Sequence, residues 1–238
     1  MKSRFWCVVP AAGSGSRMGG PVPKQYLSLD GRPLLEHSLR RVAAHPRIEG
    51  VVVAVSAHDP RWEALHWDLG KPVWRAEGGA ERCDSVVNAL ETLAAHAAPE
   101  DWVLVHDAAR PCVRTADIDR LIRELETHTC GGLLGVPVKD TMKRVDAAGA
   151  VDHTVDRRDL WHALTPQMFR LGQLHDALRQ AVQAGVMVTD EASAMEYVGC
   201  APRMIEGHPD NIKVTRREDL ALAGYFLQAQ GTETGEHP

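Results

Sequence analysis

Short apolar runs alternate along the chain with longer stretches in which apolar residues recur every three or four positions. The short runs predict β-strands, and the longer amphipathic stretches predict α-helices. The predicted strands in the first part of the chain cover residues 5–9, 51–55, 73–74, 102–105 and 133–138. The predicted helices between them cover residues 34–44, 85–97 and 117–126. This alternation is typical of βαβ units, so we expect an α/β fold with a Rossmann-like, mostly parallel sheet and helices on both faces.

The alternation stops at Lys139, where a charged and polar segment begins that runs to Arg158. A turn is predicted at residues 146–150, and a returning strand at residues 151–155. Because the segment is too polar to pack on both faces of a sheet, we expect a protruding β-arm at about 139–158. A two-stranded ribbon is at best marginally stable alone in water, so we expect a second subunit to hold the arm in a homodimer.

Regular structure resumes after the arm. An apolar run covers residues 160–164, helices are predicted near 174–184, 191–197 and 218–228, and a strand is predicted near 203–205. We expect residues 1–230 to form one domain that carries the arm as an insertion. The polar residues 231–238 predict a disordered tail.

The bulk composition limits the ligands that the surface can attract. The chain has 238 residues, of which 44% are hydrophobic, enough for one substantial core. Its 27 basic and 32 acidic residues give a net charge of −5, which argues against a general surface for nucleic acid or an anionic membrane. A polyanionic ligand would therefore have to meet a local cluster of cations.

The cysteines and histidines do not have the spacing of metal sites. There are five cysteines without a CxxC pair, and an odd number favours a reducing compartment. The first strand begins within five residues of the N-terminus, which leaves no room for a signal peptide, and no apolar run approaches the roughly 20 residues of a membrane span. We expect a cytoplasmic location and no membrane partner.

A cluster of small residues follows the first predicted strand and is joined by two cations, Arg17 and Lys24. Small residues let backbone N–H groups approach anionic oxygens, and the cations add charge, so the pattern favours phosphate or nucleotide binding. It is not a dinucleotide fingerprint, because Met18 replaces the third glycine, nor a Walker loop. An ordinary glycine-rich turn with solvated cations is the alternative.

Residues 10–18 and 23–26 resemble the opening of the cytidylyltransferases that make CDP-alcohols, and most of all the 2-C-methyl-D-erythritol 4-phosphate cytidylyltransferase family. Further motifs agree in order and spacing from Val8 to about Leu227: residues 78–86, 105–111, 137–143, 156–167, 189–193 and 210–215. The resemblance implies transfer of CMP from CTP to 2-C-methyl-D-erythritol 4-phosphate in non-mevalonate isoprenoid biosynthesis, with Mg²⁺ or another divalent cation. The products would be 4-diphosphocytidyl-2-C-methyl-D-erythritol and pyrophosphate.

The resemblance also assigns roles to individual positions. It implies that the catalytic cations are Arg17, Lys24 and Lys213. It implies that CTP is bound by Ala11, Ala12, Gly13, Gly15, Gly79, Ala80 and Ser85. It implies that the acceptor is bound by Asp107, Arg110, Thr141, Arg157 and Thr189, and the metal by Asp107 and Asp210. The family is homodimeric, so Thr141 and Arg157 on the arm are expected to complete the partner's site.

Several of these assignments have simpler readings. Some relatives carry aspartate where this chain has Ala80, so a side-chain hydrogen bond is excluded there. Asp107 and Ser85 could each cap a helix, and Arg157 could be a solvated charge on the arm. For the whole chain, the alternatives are a cytidylyltransferase for another polyol phosphate such as ribitol 5-phosphate, and a nucleotide-binding module without turnover.

Overall fold

A computed structural model of the chain describes residues 3–13, 22–65 and 68–234. Seven of the strands in these residues are β1 (Phe5–Pro10), β4 (Ile48–Val55), β5 (Val73–Glu77), β6 (Trp102–Val105), β7 (Gly131–Pro137), β10 (Trp161–Arg170) and β11 (Arg203–Glu206). They form one sheet in the order β11-β7-β10-β6-β1-β4-β5. Two small antiparallel ribbons accompany the sheet, formed by β2 (Ser28–Leu29) with β3 (Arg32–Pro33) and by β8 (Met142–Val145) with β9 (Val151–Val155).

Helices cover both faces of the sheet, as predicted. The α-helices of the described residues are α1 (Leu34–Ala43), α2 (Pro60–Glu63), α3 (Arg82–Leu93), α4 (Thr115–Leu125), α5 (Leu171–Gln183), α6 (Glu191–Tyr197) and α7 (Glu218–Thr234). Alternate residues of β1 enter different cores: Cys7 and Val9 pack in the core that contains apolar residues of α1 and α4, and Trp6 and Val8 in the core formed with α3, α5 and α6. This two-residue period places a buried strand between two helical layers.

Strand β10 is the main departure from the predicted topology. It lies between β6 and β7 and runs antiparallel to both, whereas the other neighbouring strands of the seven-stranded sheet are parallel. The sequence predicted only an apolar run at 160–164. The polar residues Thr165 and Gln167 interrupt the apolar pattern, although both are buried in the fold.

The C-terminal helix is longer than predicted. Helix α7 continues to Thr234, six residues beyond the predicted end at 228. The predicted disorder of residues 231–238 stays a prediction: α7 includes residues 231–234, and residues 235–238 lie outside the described part of the chain. Within residues 3–13, 22–65 and 68–234, no helix has both the length and the apolar character that crossing a bilayer would need.

The β-arm is present where it was predicted. Strands β8 and β9 pair with each other, and the Asp146 carboxylate closes the turn between them by accepting hydrogen bonds from the backbone N–H groups of Ala148 and Ala150. The arm exposes apolar side chains, with Val145 51% and Val151 60% accessible. Its use in dimerisation stays a prediction.

Candidate active site

A cleft of about 750 Å³ opens at the carboxyl ends of β1, β5 and β6, the edge at which parallel sheets commonly bind ligands. It is lined by Pro10, Ala11, Ala12, Gly13, Lys24, Gln25, Gly79, Ala80, Glu81, Arg82, Ser85, Asp107, Ala108, Ala109, Lys213 and Thr215. Each of the three strands delivers one loop to the cleft. The described residues predicted to bind CTP therefore lie together on its wall.

A second cavity of about 190 Å³ adjoins the cleft. It is lined by Arg82, Asp107, Arg110, Ala163, Leu164, Thr165, Gln167, Thr189, Asp190 and Lys213. Both cavities share Arg82, Asp107 and Lys213. These three side chains consequently mark the junction between a larger and a smaller binding space.

Close backbone packing shapes the wall of the large cleft near Gly78 and Gly79. A Cβ atom on Gly78 would lie 2.1 Å from the Cβ of Ala12, and one on Gly79 would lie 2.2 Å from the Cβ of Asp84. Both distances are too short for a side chain, so these positions need glycine. The backbone N–H of Gly79 donates to Ser85 Oγ at 3.0 Å, which links the glycine loop to helix α3.

Helix α3 begins with Glu81 as its N-cap, not Ser85. The Asp84 carboxylate accepts a hydrogen bond from the backbone N–H of Glu81 at 3.0 Å, and Ser85 Oγ donates to the Glu81 carbonyl at 3.1 Å. The simpler reading of Ser85 as the helix cap is therefore wrong. Its oxygen remains at the cleft wall, held between the glycine loop and the first helical turn.

Lys24 is brought to the cleft by a short 3-10 helix, Lys24–Tyr26. Gln25, only 5% exposed, donates from Nε2 to the carbonyl of Ala11 at 2.7 Å. The Tyr26 hydroxyl donates to the Asp59 carboxylate at 2.7 Å. These two anchors fix the 3-10 helix beside the end of β1. The predicted residues Arg17 and Gly15 lie outside the described residues.

Asp107 is surrounded by cations at the junction of the cavities. Lys213 Nζ lies 2.9 Å from its Oδ2 atom, Arg82 NH2 lies 3.2 Å from Oδ1, and Arg110 Nε lies 3.5 Å from Oδ2. Burial alone would raise the pKa of Asp107, but the charges of these three cations hold that pKa well below its ordinary value. Asp107 is consequently a carboxylate at neutral pH.

A chain of buried hydrogen bonds holds the backbone of Asp107. The Asp107 N–H donates to Thr165 Oγ1 at 3.0 Å, and this hydroxyl lies 3.1 Å from His106 Nδ1. His106 Nε2 lies 2.9 Å from the Arg110 carbonyl, which only accepts, so Nε2 carries the proton. Burial lowers the pKa of His106 to about 4, so the ring is neutral and Nδ1 accepts from Thr165.

The predicted acceptor residues fall into two groups. Arg110 and Thr189 line the small cavity together with Asp107. Thr141 and Arg157 lie exposed at the base of the β-arm and line neither cavity. Within one chain, the structure therefore brings only the first group to the site.

Asp210, predicted to hold the metal with Asp107, lines neither cavity. Its Oδ2 atom accepts hydrogen bonds from Arg114 at 2.7 Å and from Gln230 Nε2 at 2.9 Å. In the part of the chain that the structure describes, no three His, Cys, Asp or Glu side chains are grouped to hold a metal ion. The metal role of Asp210 stays a prediction, and this arrangement gives it no support.

Sequence reasoning assigned no role to Arg82 or Glu191, although both lie in motifs that carry the resemblance. Arg82 NH1 lies 2.6 Å from Glu191 Oε1, NH2 lies 3.1 Å from Oε2, and the Glu191 residue is only 1% exposed. Each residue opens a helix, where charged residues are common, so no pattern in the sequence distinguished this buried pair.

Four cations are gathered along the two cavities: Lys24, Arg82, Arg110 and Lys213. The lining also contains three carboxylates, Glu81, Asp107 and Asp190, so four positive and three negative charges leave +1, whereas the chain as a whole carries −5. The four cations form a local cluster of the kind that a polyanionic ligand requires.

Comparison with known proteins identifies the family. The family model for 2-C-methyl-D-erythritol 4-phosphate cytidylyltransferase matches residues 5–229. The chain is 58% identical over 217 residues to the protein of that name from Pseudomonas putida, covering 91% of this chain and 92% of the relative. It is 53% identical over 223 residues to the Vibrio vulnificus protein of the same name, covering 94% of each.

Solved structures agree with the sequence relatives. The crystal structure of Francisella tularensis 2-C-methyl-D-erythritol 4-phosphate cytidylyltransferase superposes with a TM-score of 0.82 at 35% identity, covering 94% of this chain and all of that one. The Thermus thermophilus structure of the same name gives a TM-score of 0.74 at 29% identity, covering 96% of this chain and all of that one. The chain belongs to the 2-C-methyl-D-erythritol 4-phosphate cytidylyltransferase family.

Proposed function

We propose that the chain transfers CMP from CTP to 2-C-methyl-D-erythritol 4-phosphate in the large cleft and the small cavity beside it. The observation that carries this proposal is the junction of the two spaces at Arg82, Asp107 and Lys213. A volume of about 750 Å³ is typical of a pocket for a nucleotide-sized ligand. The smaller space beside it suits an alcohol phosphate, so two anionic substrates would meet between cations.

The reaction needs alignment and charge more than a protein nucleophile. A phosphate oxygen of the acceptor attacks the α-phosphorus of CTP and forms a new P–O bond. The bond from that phosphorus to the oxygen bridging to the β-phosphate breaks, and pyrophosphate leaves with the electron pair. Lys24 and Lys213 on the cleft wall, together with Arg17, would neutralise the charge that accumulates on the α-phosphate and on the leaving group.

Base selection is proposed to depend on the backbone. Cytosine offers an amino donor beside two acceptor atoms, and a wall of carbonyls, amides and one hydroxyl complements that edge. The cleft lining includes Ala11, Ala12, Gly13, Gly79, Ala80 and Ser85, which would supply these groups. The close contacts of Gly78 with Ala12 and of Gly79 with Asp84 would hold these backbone groups in fixed positions.

The proposed reaction uses Mg²⁺ or another divalent cation. Mg²⁺ in proteins is commonly held by one or two carboxylates together with substrate phosphates. Asp107 offers one ionised carboxylate at the junction of the two spaces, so the residues present fit such a site. When bound, the metal would neutralise phosphate oxygens, and Asp107 would hold it once Lys213 or a neighbouring cation turns toward phosphate.

The acceptor site is proposed to be completed by a second subunit. Arg110, Thr189 and Lys213 line the small cavity in one chain, whereas Thr141 and Arg157 are exposed on the arm. The exposed apolar residues of the arm support its packing against another chain. In a twofold dimer, each arm would bring Thr141 and Arg157 to the partner's cavity. We also propose a cytoplasmic location, which the five free thiols support.

Pyrophosphate release from CTP tests the proposed function. The purified protein is assayed with Mg²⁺ and either methylerythritol phosphate, ribitol 5-phosphate or no acceptor, and then with UTP or ATP in place of CTP. We expect turnover with CTP and methylerythritol phosphate, and about 10²-fold discrimination against the other nucleotides. Faster turnover with ribitol 5-phosphate would change the acceptor assignment. CTP binding without turnover on any acceptor would favour a nucleotide-binding module.

A further inference from the structure

The guanidinium of Arg82 contacts two carboxylates through different edges. Its NH1 and NH2 atoms form a fork on Glu191 at 2.6 and 3.1 Å, and its Nε and NH2 atoms both lie 3.2 Å from Asp107 Oδ1. A guanidinium presents its donors in a rigid plane. The position of one carboxylate therefore constrains the position of the other.

This contact joins elements that serve different cavities. Arg82 opens α3 after the Gly79–Glu81 segment of the large cleft, and Glu191 opens α6 after Thr189 and Asp190 of the small cavity. The Arg82–Glu191 pair therefore links the loop of the large cleft to the loop of the small cavity. Asp107, the other carboxylate that Arg82 contacts, lies where the two cavities meet.

Because Glu191 is buried, its carboxylate depends on the contact with Arg82. A carboxylate that is 1% exposed needs strong compensation, and Arg82 supplies it with two charge-assisted hydrogen bonds. The charges of Glu191 and Asp107 raise the pKa of Arg82 despite its burial. If the pair only joined two helices, apolar residues of similar size could replace it without loss of stability. The same replacement would remove the contact of Arg82 with Asp107, so stability and positioning of Asp107 can be separated.

We infer that the Arg82–Glu191 pair is a positioning element that fixes the Asp107 carboxylate between the two cavities and thereby aligns the acceptor with the nucleotide. This inference rests on the proposed function. Glu191 acts through Arg82, and Arg82 acts through Asp107. The role concerns acceptor alignment rather than nucleotide affinity, because the glycine loop is held by Ser85 and the start of α3 by Asp84, without the Arg82 side chain.

The kinetic expectation separates the two substrates. Glu191→Gln keeps the shape of the side chain but removes its charge, so the guanidinium loses its strongest partner and the Asp107 carboxylate shifts. We expect kcat/KM for the acceptor to fall roughly 10- to 10²-fold, a usual result of a small misplacement in an active site. The dissociation constant of CTP, measured by calorimetry, should stay within about threefold of the wild-type value.

A double variant separates positioning from fold stability. Arg82→Met with Glu191→Met removes both charges, so the melting temperature should recover relative to either single variant, while kcat/KM for the acceptor stays low. The matched control is Arg47→Met with Glu126→Met. These residues form a 2.5 Å ion pair between the residue before β4 and the residue after α4, and neither lines a cavity. That control should leave kcat/KM unchanged.

Recovery of both the melting temperature and kcat/KM in the Met–Met variant would overturn the inference, because the pair would then be only a structural link. If that variant does not fold, Glu191→Gln decides: wild-type kcat/KM for the acceptor, or an equal loss of CTP affinity, would also overturn it. The wild-type protein is assayed in parallel. Failure of wild type to release pyrophosphate refutes the proposed function, whereas an active wild type with an unaffected Glu191→Gln variant refutes this inference alone.

Discussion

Thr165 Oγ1 accepts a hydrogen bond of 3.0 Å from the backbone N–H of Asp107, 58 residues away in the sequence. Thr165 lies on the antiparallel strand β10, and Asp107 follows the parallel strand β6. The same hydroxyl lies within hydrogen-bond distance of the buried His106 ring. The antiparallel strand therefore supplies the contact that fixes the residue at the centre of the site.

Thr165→Val should remove this contact with little change in volume. It leaves the Asp107 N–H and His106 Nδ1 without their partner, and each such buried group costs about 1–3 kcal/mol. We expect a loss of that order in the free energy of unfolding, measured by urea denaturation, together with lower kcat. Thr165→Ser keeps a hydroxyl and should stay close to wild type. Wild-type stability and kcat in Thr165→Val would contradict the proposed role of the hydroxyl.

The stability should depend on pH through His106. Burial lowers the pKa of its ring from the ordinary 6.5 to about 4. Between these values the unfolded chain binds a proton that the folded chain does not, so the stabilising contribution is present above about pH 6.5 and lost as pH falls toward 4. The loss from this residue should be roughly 3 kcal/mol across that window, at about 1.4 kcal/mol per unit of pKa.

His106→Gln provides the comparison for the pH experiment, because an amide can donate to the Arg110 carbonyl but does not titrate. The free energy of unfolding of both proteins is measured at pH 7 and pH 4.5. Wild type should lose about 2–3 kcal/mol more than the variant. Asp107 adds little in this window, because a carboxyl whose folded-state pKa is lowered loses its stabilising contribution only as pH falls below its ordinary pKa of 3.8. A difference that does not change with pH would contradict a neutral buried ring.

The two aspartates predicted to bind metal should behave differently when changed to asparagine. Asp107→Asn should raise the Mg²⁺ concentration needed for half-maximal activity, because it removes the carboxylate at the junction of the cavities. Asp210→Asn should lower the free energy of unfolding by about 1–3 kcal/mol, because its carboxylate holds Arg114 and Gln230. A shift in metal dependence with Asp210→Asn would restore its predicted role.

Lys24→Ala and Arg17→Ala should each lower kcat by about 10²-fold or more, since these cations are expected to stabilise transition-state charge. Steady-state rates of pyrophosphate release give kcat and KM separately. Arg123→Ala, which removes an exposed cation on α4 that is 63% accessible, is the control and should have no effect. A raised KM for CTP with normal kcat would mean that the cation binds substrate and transition state equally.

Subunit mixing tests the proposed role of the arm. Lys24→Ala and Arg157→Ala should each be inactive, because one lesion lies in the cleft and the other on the arm. If arms act on the partner, a heterodimer contains one site with both lesions and one with neither. Random exchange should therefore restore roughly a quarter of the sites. Recovery is measured as activity after incubation under conditions that exchange subunits.

The mixing experiment also has a clear negative result. Exchange is demonstrated independently with differently tagged subunits. If exchange occurs and activity does not return, Arg157 acts within its own chain or outside any site. The arm would then be an exposed hairpin with no part in the partner's site.

Most of the fold was predictable because its strands and helices have the expected periods. Strand β6 and helix α6 have the predicted bounds. The alternation of strands and helices also indicated that helices pack on both faces of the sheet. The antiparallel insertion of β10 was not predictable from periodicity. Its buried Thr165 and Gln167 look like loop residues, and only their partners in the fold, Asp107 and Asp190, explain their burial.

The site was predictable where its residues follow strands directly. Ala11–Gly13 after β1 and Asp107 after β6 lie on the cleft, since parallel strands end at a common edge. Arg82 and Glu191 were missed because their contact joins residues 109 positions apart. Asp210 resembled a ligand in its motif, but its carboxylate is occupied by Arg114, a pairing that depends on the tertiary fold.

The two edge strands of the central sheet limit how copies of the chain can associate. Strands β5 and β11 are the edge strands, and each is short and carries exposed charges: Arg75 and Glu77 on β5, and Arg203 and Glu206 on β11. Charged side chains on a short edge oppose the addition of a further strand from another molecule. The fold therefore resists open-ended strand-to-strand polymerisation through its main sheet, and assembly is directed to other surfaces.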